Sequence, residues 1–179
     1  MKGLDKLTYP RLAEALIQRG SVDQTLVRQL LQESERSGQP LPELLVRDEI
    51  FSEWELVRLV SDHFTLPMIY PLQYELDSSL MKKFGIEVLR QKNLLPLAKF
   101  GDIVTMAMPI LTPVTDLQEL EREHKIEIFP FAAPISENSQ ILMEQGGKGG
   151  KKNETILDSS WEKLFDEAEA TLQEDPVPG

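Results

Sequence analysis

The 179-residue chain predicts an α+β fold: an N-terminal pair of helical hairpins built on a duplicated motif, packed with a small ββαβα lobe and followed by a flexible tail with a short amphipathic helix. Three observations carry this. First, RLAEALIQRGSVDQTLVRQLLQES (11–34) aligns with PLPELLVRDEIFSEWELVRLVSDH (40–63) at an offset of 29, with Leu12/Leu41, Glu14/Glu43, Leu16/Leu45 and Leu30/Leu59 identical. A repeat of this length is one supersecondary unit used twice. Second, the apolar period becomes strand-like from Leu94, around a Gly101-Asp102 turn. Third, GGKGGKKN (146–153) has the composition of a flexible linker.

The elements follow in order. Tyr9–Arg19 predicts a short helix closed by Gly20, which accepts the left-handed conformation without a Cβ clash. Asp23 then caps a second helix whose buried face is expected to carry Leu26, Val27, Leu30 and Leu31, with Val22 and Val27 placed as a hydrophobic staple. The second copy repeats the design with Phe51, Ser52 and Leu56, and Glu55 completes a Ser-x-x-Glu capping box. Ser37-Gly38-Gln39-Pro40 breaks the chain between copies. After His63, Leu66–Pro71 reads as an extended connector, because each residue before a proline is pushed out of the α region. Ser78–Phe84 and Ile86–Gln91 are two short helices divided at Gly85, and Leu94–Lys99 with Ile103–Met108 form a hairpin. Val114–His124 is an acidic helix facing inward with Leu117 and Leu120; Ile126–Ala132 is a third strand whose Pro130 belongs at an edge or bulge. Ser136–Gln145 closes the lobe. The expected domains are therefore 1–145 (helical half 1–66, α/β half 67–145), a linker at 146–154 and an acidic tail at 155–179. In the tail, Trp161, Leu164, Phe165, Ala168 and Leu172 recur at helical spacing behind a Ser159/Glu162 capping box. Such a tethered helix either docks on its own domain or grips a partner, with Trp161, Leu164 and Phe165 as the contact residues.

Composition narrows the function. The net charge of −11 is spread along the chain: residues 1–70 hold 8 basic and 11 acidic side chains, 71–145 hold 7 and 11, and 146–179 hold 4 and 8. With no long basic face, DNA and RNA are poor partners. There is no cysteine, which excludes disulfides and thiolate metal sites, and two isolated histidines make no metal centre. The N-terminus has no apolar signal core, and no stretch is apolar enough to span a membrane, so a cytoplasmic protein without direct membrane insertion is expected. The lysine-glycine run at 146–152 lacks the Gly-x-x-x-x-Gly-Lys-Ser/Thr order, since Asn153 follows it. No nucleophile elbow or Ser/His/Asp grouping is present, and no catalysis is expected.

The residues Arg11, Leu12, Leu16, Ile17, Gly20, Val22, Val27 and Leu31, the Leu66-Pro67 step, and Gly101-Asp102 with Val104–Met108 carry a resemblance. Residues 8–145 resemble the N-terminal domain of type II secretion and type IV pilus assembly ATPases, the MshEN or type II secretion E-protein N-terminal family. The ATPase domain that follows this module in the family has no counterpart in 146–179. The resemblance implies a bacterial, non-enzymatic adaptor or regulator of such machinery that works by protein–protein interaction. Its alternative implication is a receptor for cyclic di-GMP, a ligand rather than a cofactor, bound across the two repeats. Arg11 would then read a guanine edge, Leu12 and Leu41 would pack against the ligand, and Gly20 and His63 would complete the site. The second copy departs from the pattern: Pro40 and Pro42 replace Arg and Gly, and Glu49 replaces Gly. The terminal Gln of each repeat is Ser34 and His63, and Ala13 stands for the first Gly. Proline removes a backbone donor, so the second half-site is expected to be degenerate.

Overall fold

The computed structural model describes residues 4–146, which lie within one unit, Met1–Gly146. The expected linker beyond Gly146, the tail helix and its Trp161, Leu164 and Phe165 lie outside the described residues. A 3₁₀ turn at Leu4–Lys6 leads into α1 (Tyr9–Arg19), α2 (Gln24–Ser37), α3 (Leu41–Arg47) and α4 (Glu53–Phe64). Each start is set by local chemistry. The Thr8 hydroxyl accepts from Arg11 N–H at 3.3 Å, and the Asp23 carboxylate accepts from Thr25 N–H at 2.6 Å. Ser52 and Glu55 form the complete capping box: Ser52 N–H donates to Glu55 Oε2 at 2.8 Å, and Glu55 N–H donates to Ser52 Oγ at 3.3 Å.

The caps show how faithfully the backbone is duplicated. Gly20 lies in the left-handed region at φ 70° and donates its N–H to Ile17 O at 3.1 Å. Glu49, 29 residues on, lies at φ 54° and donates to Val46 O at the same 3.1 Å. Ile50 N–H adds a bond to Leu45 O at 3.1 Å, completing a Schellman cap on α3. The helix ends of α2 and α4 also match, two residues out of register. Ser34 Oγ donates to Gln39 O and Ser61 Oγ donates to Leu66 O, both at 2.6 Å and both five residues ahead.

One expectation about α2 is corrected. Val27, Leu30 and Ser34 form its buried stripe, whereas Leu26 is 37% exposed and Leu31 only half-buried. Leu26 lies about 100° around the helix from Val27, off a stripe narrower than the apolar pattern suggests.

The second half opens with the connector, then a 3₁₀ turn at Pro71–Gln73, α5 (Ser78–Phe84) and α6 (Ile86–Lys92). β1 (Leu95–Phe100), β2 (Ile103–Pro109), α7 (Val114–His124), β3 (Glu127–Ala133) and α8 (Ile135–Gly146) complete the expected ββαβα order. β1 and β2 are an antiparallel hairpin; α7 carries the chain over so that β3 lies parallel to β2. Pro96 in β1 has no N–H to give the ladder, and the register shifts between Pro96 and Ala98. There Thr105 Oγ1 accepts from Ala98 N–H at 3.1 Å. Pro130 sits on β3, an outer strand of the order β1-β2-β3, two residues before the point at Ala132 where the connector pairs.

The connector joins the halves as an added strand beside β3. Met68 bridges Ala132; Ile69 N–H donates to Ala132 O and Ala132 N–H donates to Pro67 O, both at 2.9 Å. Val114 N–H on Leu7 O (2.8 Å) and Ser136 Oγ on Glu53 Oε2 (2.6 Å) tie the lobes at two further points. One continuous core runs through both, from Leu12, Leu16, Leu41, Leu45 and Leu56 to Met106, Met108, Ile128 and Leu142. Asn138 is fully buried in it and donates to Asn93 O (2.9 Å) and Ala107 O (3.1 Å), pinning α8 to β2 and to the turn before β1. Ile110, a buried β-branched residue at φ 66°, turns the chain from β2 toward α7, held by its N–H on Ala133 O at 2.8 Å.

Candidate functional site

Among the described residues, a cleft with a mixed polar rim lies between the C-terminal halves of α1 and α4. Its volume is about 400 Å³, and it is lined by Ala15, Gln18, Arg19, Leu59, Asp62 and His63. Ala15 and Leu59, nearly buried, give it an apolar floor. Gln18, Arg19, Asp62 and His63 form an exposed polar rim. On α1 these positions follow Arg11 by four, seven and eight residues, so they continue its face of the helix. The rim offers an amide with both donor and acceptor, a guanidinium, a carboxylate and an imidazole over an apolar base. That set suits a small polar ring bearing an anion.

The sequence-derived site residues fall in three places. His63 stands in the last turn of α4, exposed, with its ring edge-on to Phe64 at 4.9 Å, and lines the cleft. Gly20 shapes the cleft through its neighbour Arg19, since it ends α1. Arg11 is exposed on the first turn of α1 and is not among the lining residues. Leu12 and Leu41 are at 0% exposure in the core, so in this conformation they support the helices and offer no surface. Gln18, Arg19 and Asp62 were not singled out from the sequence, although the helical spacing from Arg11 through Ala15 marks the α1 pair.

The duplication provides a second rim for comparison. Adding 29 to Ala15, Gln18 and Arg19 gives Leu44, Arg47 and Asp48; subtracting 29 from Leu59, Asp62 and His63 gives Leu30, Glu33 and Ser34. The floor is again apolar, with Leu44 at 1% and Leu30 at 3% exposure. The rim's guanidinium is paired at the exposed surface. Arg47 donates from Nε to Asp48 Oδ1 at 2.7 Å, from Nη2 to Glu33 Oε1 at 3.2 Å and from Nη1 to Gln39 Oε1 at 3.4 Å. Hydrogen bonds from Arg47 hold the Asp48 carboxyl below its ordinary value, while Asp48 first and Glu33 second raise the guanidinium further. Ser34, buried, spends its hydroxyl on Gln39 O.

Two other concavities are lined by described residues. A shallow groove of about 410 Å³ follows Gln29, Gln32, Glu33 and Arg36 along α2. A pocket of about 120 Å³ is lined by Leu80, Lys83, Phe84, Lys99, Val104, His124 and Ile126. His124, although it stands in the charged run Glu121–Lys125, packs its ring on Phe84 at 4.6 Å, with Nε2 buried and unpartnered. Among the described residues no group of three or more His, Cys, Asp and Glu is placed to hold a metal, and no helix is long and apolar enough to cross a membrane.

Duplicated helical hairpins joined to a ββαβα lobe define a particular class of module, and solved structures share it. No family model matches the sequence, and no curated protein matches it. By structure, the chain is similar to MshE with cyclic di-GMP at a TM-score of 0.60 and 19% identity, covering 75% of this chain and 98% of that one. It is similar to the N-terminal domain of XpsE in two crystal forms. One gives a TM-score of 0.56 and 19% identity over 76% of this chain and 93% of the other. The I4122 form gives 0.50 and 18% over 75% and 93%. The fold is therefore the one the resemblance implied, shared with MshE and with the N-terminal domain of XpsE.

Proposed function

We propose that this protein is a non-enzymatic regulatory or adaptor module of bacterial type II secretion or type IV pilus-like machinery, acting in the cytoplasm by protein–protein interaction. The observation that carries the reading is the fold, which covers nearly the whole of the MshE and XpsE domains it resembles; the warrant is fold-level analogy. A surface feature supports it. Trp54 and Tyr70 stack at a centroid distance of 4.5 Å outside the core, and Met68 of the adjoining connector and Leu72 and Tyr74 just after it are exposed. Exposed aromatic and aliphatic side chains grouped in this way are typical anchors for a protein partner. The tail residues Trp161, Leu164 and Phe165 would supply a second contact.

Pull-down with the full chain and with a chain ending at residue 153, scored for secretion- or pilus-system ATPase components, tests this. Recovery of none of them overturns the adaptor reading. Recovery unaffected by the truncation removes the tail's role alone.

The α1/α4 cleft favours a second reading, a cyclic di-GMP receptor. Its support is the rim of Gln18, Arg19 and His63 together with the cyclic di-GMP present in the MshE structure. Calorimetric titration with the dinucleotide tests it, and absence of heat at high micromolar ligand overturns it.

A further inference from the structure

We infer that the ββαβα lobe carries a binding site of its own, for a small monocarboxylate on a short apolar chain, where α5, the β1–β2 hairpin and the end of α7 meet. The site is remote from the duplicated hairpins and independent of both the adaptor and the receptor readings.

The pocket there has a volume of about 120 Å³. Leu80, Lys83 and Phe84 stand at i, i+3 and i+4, so one face of α5 supplies both an apolar wall and a cation. Lys99 pairs with Val104 across the hairpin, while Ile103 pairs with Glu127. Strand alternation therefore puts Lys99 and Val104 on the pocket side of the sheet and Glu127 on the opposite side. Ile126 completes the apolar wall, and His124 closes the pocket with its ring on Phe84.

Electrostatics set the sign of the ligand. No carboxylate lines the pocket, and among the described residues neither Lys83 nor Lys99 is in an ion pair or a side-chain hydrogen bond. Asp77, the carboxylate that feels Lys83, accepts from Ser79 N–H at 2.8 Å, and Glu121 accepts from Ile128 N–H at 2.7 Å. Asp102 and Glu123 are near in the chain but outside the lining, as are Lys82 and Lys125. The pocket also lies at the C-terminal ends of α5 and α7, which bring about half a negative charge each; against two full ammonium charges this leaves roughly one net positive charge.

Size and lining set the rest. Cavities of about 150 Å³ take up benzene, so this one holds roughly five or six non-hydrogen atoms. A bare phosphate leaves the apolar walls unmatched, and a neutral hydrocarbon leaves the ammoniums without an acceptor. A carboxylate on a three-carbon chain matches both.

The test is NMR titration of the full chain with butyrate, butyramide and inorganic phosphate at constant ionic strength. The chain has two histidines, one at this pocket and one at the α1/α4 cleft, so their ring signals locate the ligand. Butyrate is expected to shift the His124 signals and leave those of His63 in place, with a Kd of about 1 mM or below. Butyramide and phosphate should bind at least about tenfold more weakly. Lys83→Met and Lys99→Met should each weaken butyrate by about three- to tenfold without affecting butyramide. Ile126→Trp should fill the pocket and abolish binding, with circular dichroism confirming that each variant is folded. Equal affinity for butyrate and butyramide, equal affinity for butyrate and phosphate, or unchanged butyrate binding in both lysine variants overturns the inference. So do shifts confined to His63, or no shift of His124 in folded wild type up to about 10 mM butyrate.

Discussion

Replacing Glu49 by glycine should stabilise this protein, although it removes a charged side chain and adds backbone freedom. Glu49 occupies the left-handed cap of α3 at φ 54°, the position that Gly20 fills in the first copy. An L-residue pays roughly 1–2 kcal/mol there because Cβ crowds the following carbonyl. Glycine escapes that cost but loses about 0.5–1 kcal/mol through the greater freedom of its unfolded chain. The side chain of Glu49 is exposed, and the cap bonds, Glu49 N–H to Val46 O and Ile50 N–H to Leu45 O, are backbone bonds that glycine keeps. The net gain is about 0.5–1 kcal/mol, or roughly 2–4 °C in Tm for a unit of this size. Urea denaturation of wild type, Glu49→Gly and Glu49→Ala measures it, with an unchanged slope required for the midpoints to be compared. Glu49→Ala should be near neutral because it keeps the Cβ. The complementary change, Gly20→Ala, should lose a similar amount from backbone strain alone, since nothing lies within 4 Å of an added Cβ. A lower midpoint for Glu49→Gly would refute the strain argument.

Three further outcomes are expected. Burial first, and the fields of Asp116 and Glu43 second, push the Tyr9 phenol well above its ordinary value of 10.0. A raised folded-state value gives stability that is complete below pH 10 and lost as pH climbs beyond it, so wild type should weaken more steeply than Tyr9→Phe in denaturation series from pH 8 to 11. Asn138→Ala leaves the Asn93 and Ala107 carbonyls without their buried donor, and chemical denaturation should show a loss of about 2–4 kcal/mol. Leu30→Ala should cost about 2–4 kcal/mol while Leu26→Ala costs under about 1, because only Leu30 lies in the buried stripe of α2; equal losses would place the stripe wrongly.

The readable parts of the fold were those set by local chemistry. Asp23, Ser52 with Glu55, Gly20 and Gly85 mark helix boundaries through bonds or backbone angles that depend on a few neighbouring residues. The hairpin and the α7 crossover followed from a change of period and a Gly-Asp turn. What stayed hidden depends on groups distant in sequence. Asn138 is a polar residue in an amphipathic helix until Asn93 and Ala107, 45 and 31 residues away, take its amide protons. The pairing of Met68 with Ala132 turns a proline-bounded connector into an added strand. His124 looks solvated in Glu-Arg-Glu-His-Lys, but Phe84 from α5 covers it. The same limit applies to the cleft: Arg11 lies on its helix face, yet Gln18, Arg19 and Asp62 join His63 only through the approach of α1 to α4.

The duplication was preserved and altered by different forces. Leu12, Leu16, Leu41 and Leu45 are wholly buried, where a truncation costs several kcal/mol, and the matched 3.1 Å cap bonds at Gly20 and Glu49 fix the helix ends. Those positions keep their apolar character or their backbone geometry in both copies, even where glycine has become glutamate. Apart from the buried Ser34, the rim side chains are exposed, and exposed ion pairs contribute little to folding. Gln18, Arg19, Asp62 and His63 can therefore become Arg47, Asp48, Glu33 and Ser34 with little effect on stability, while the chemistry presented to a ligand changes completely. Both copies therefore carry the fold, while their rims differ in polar chemistry.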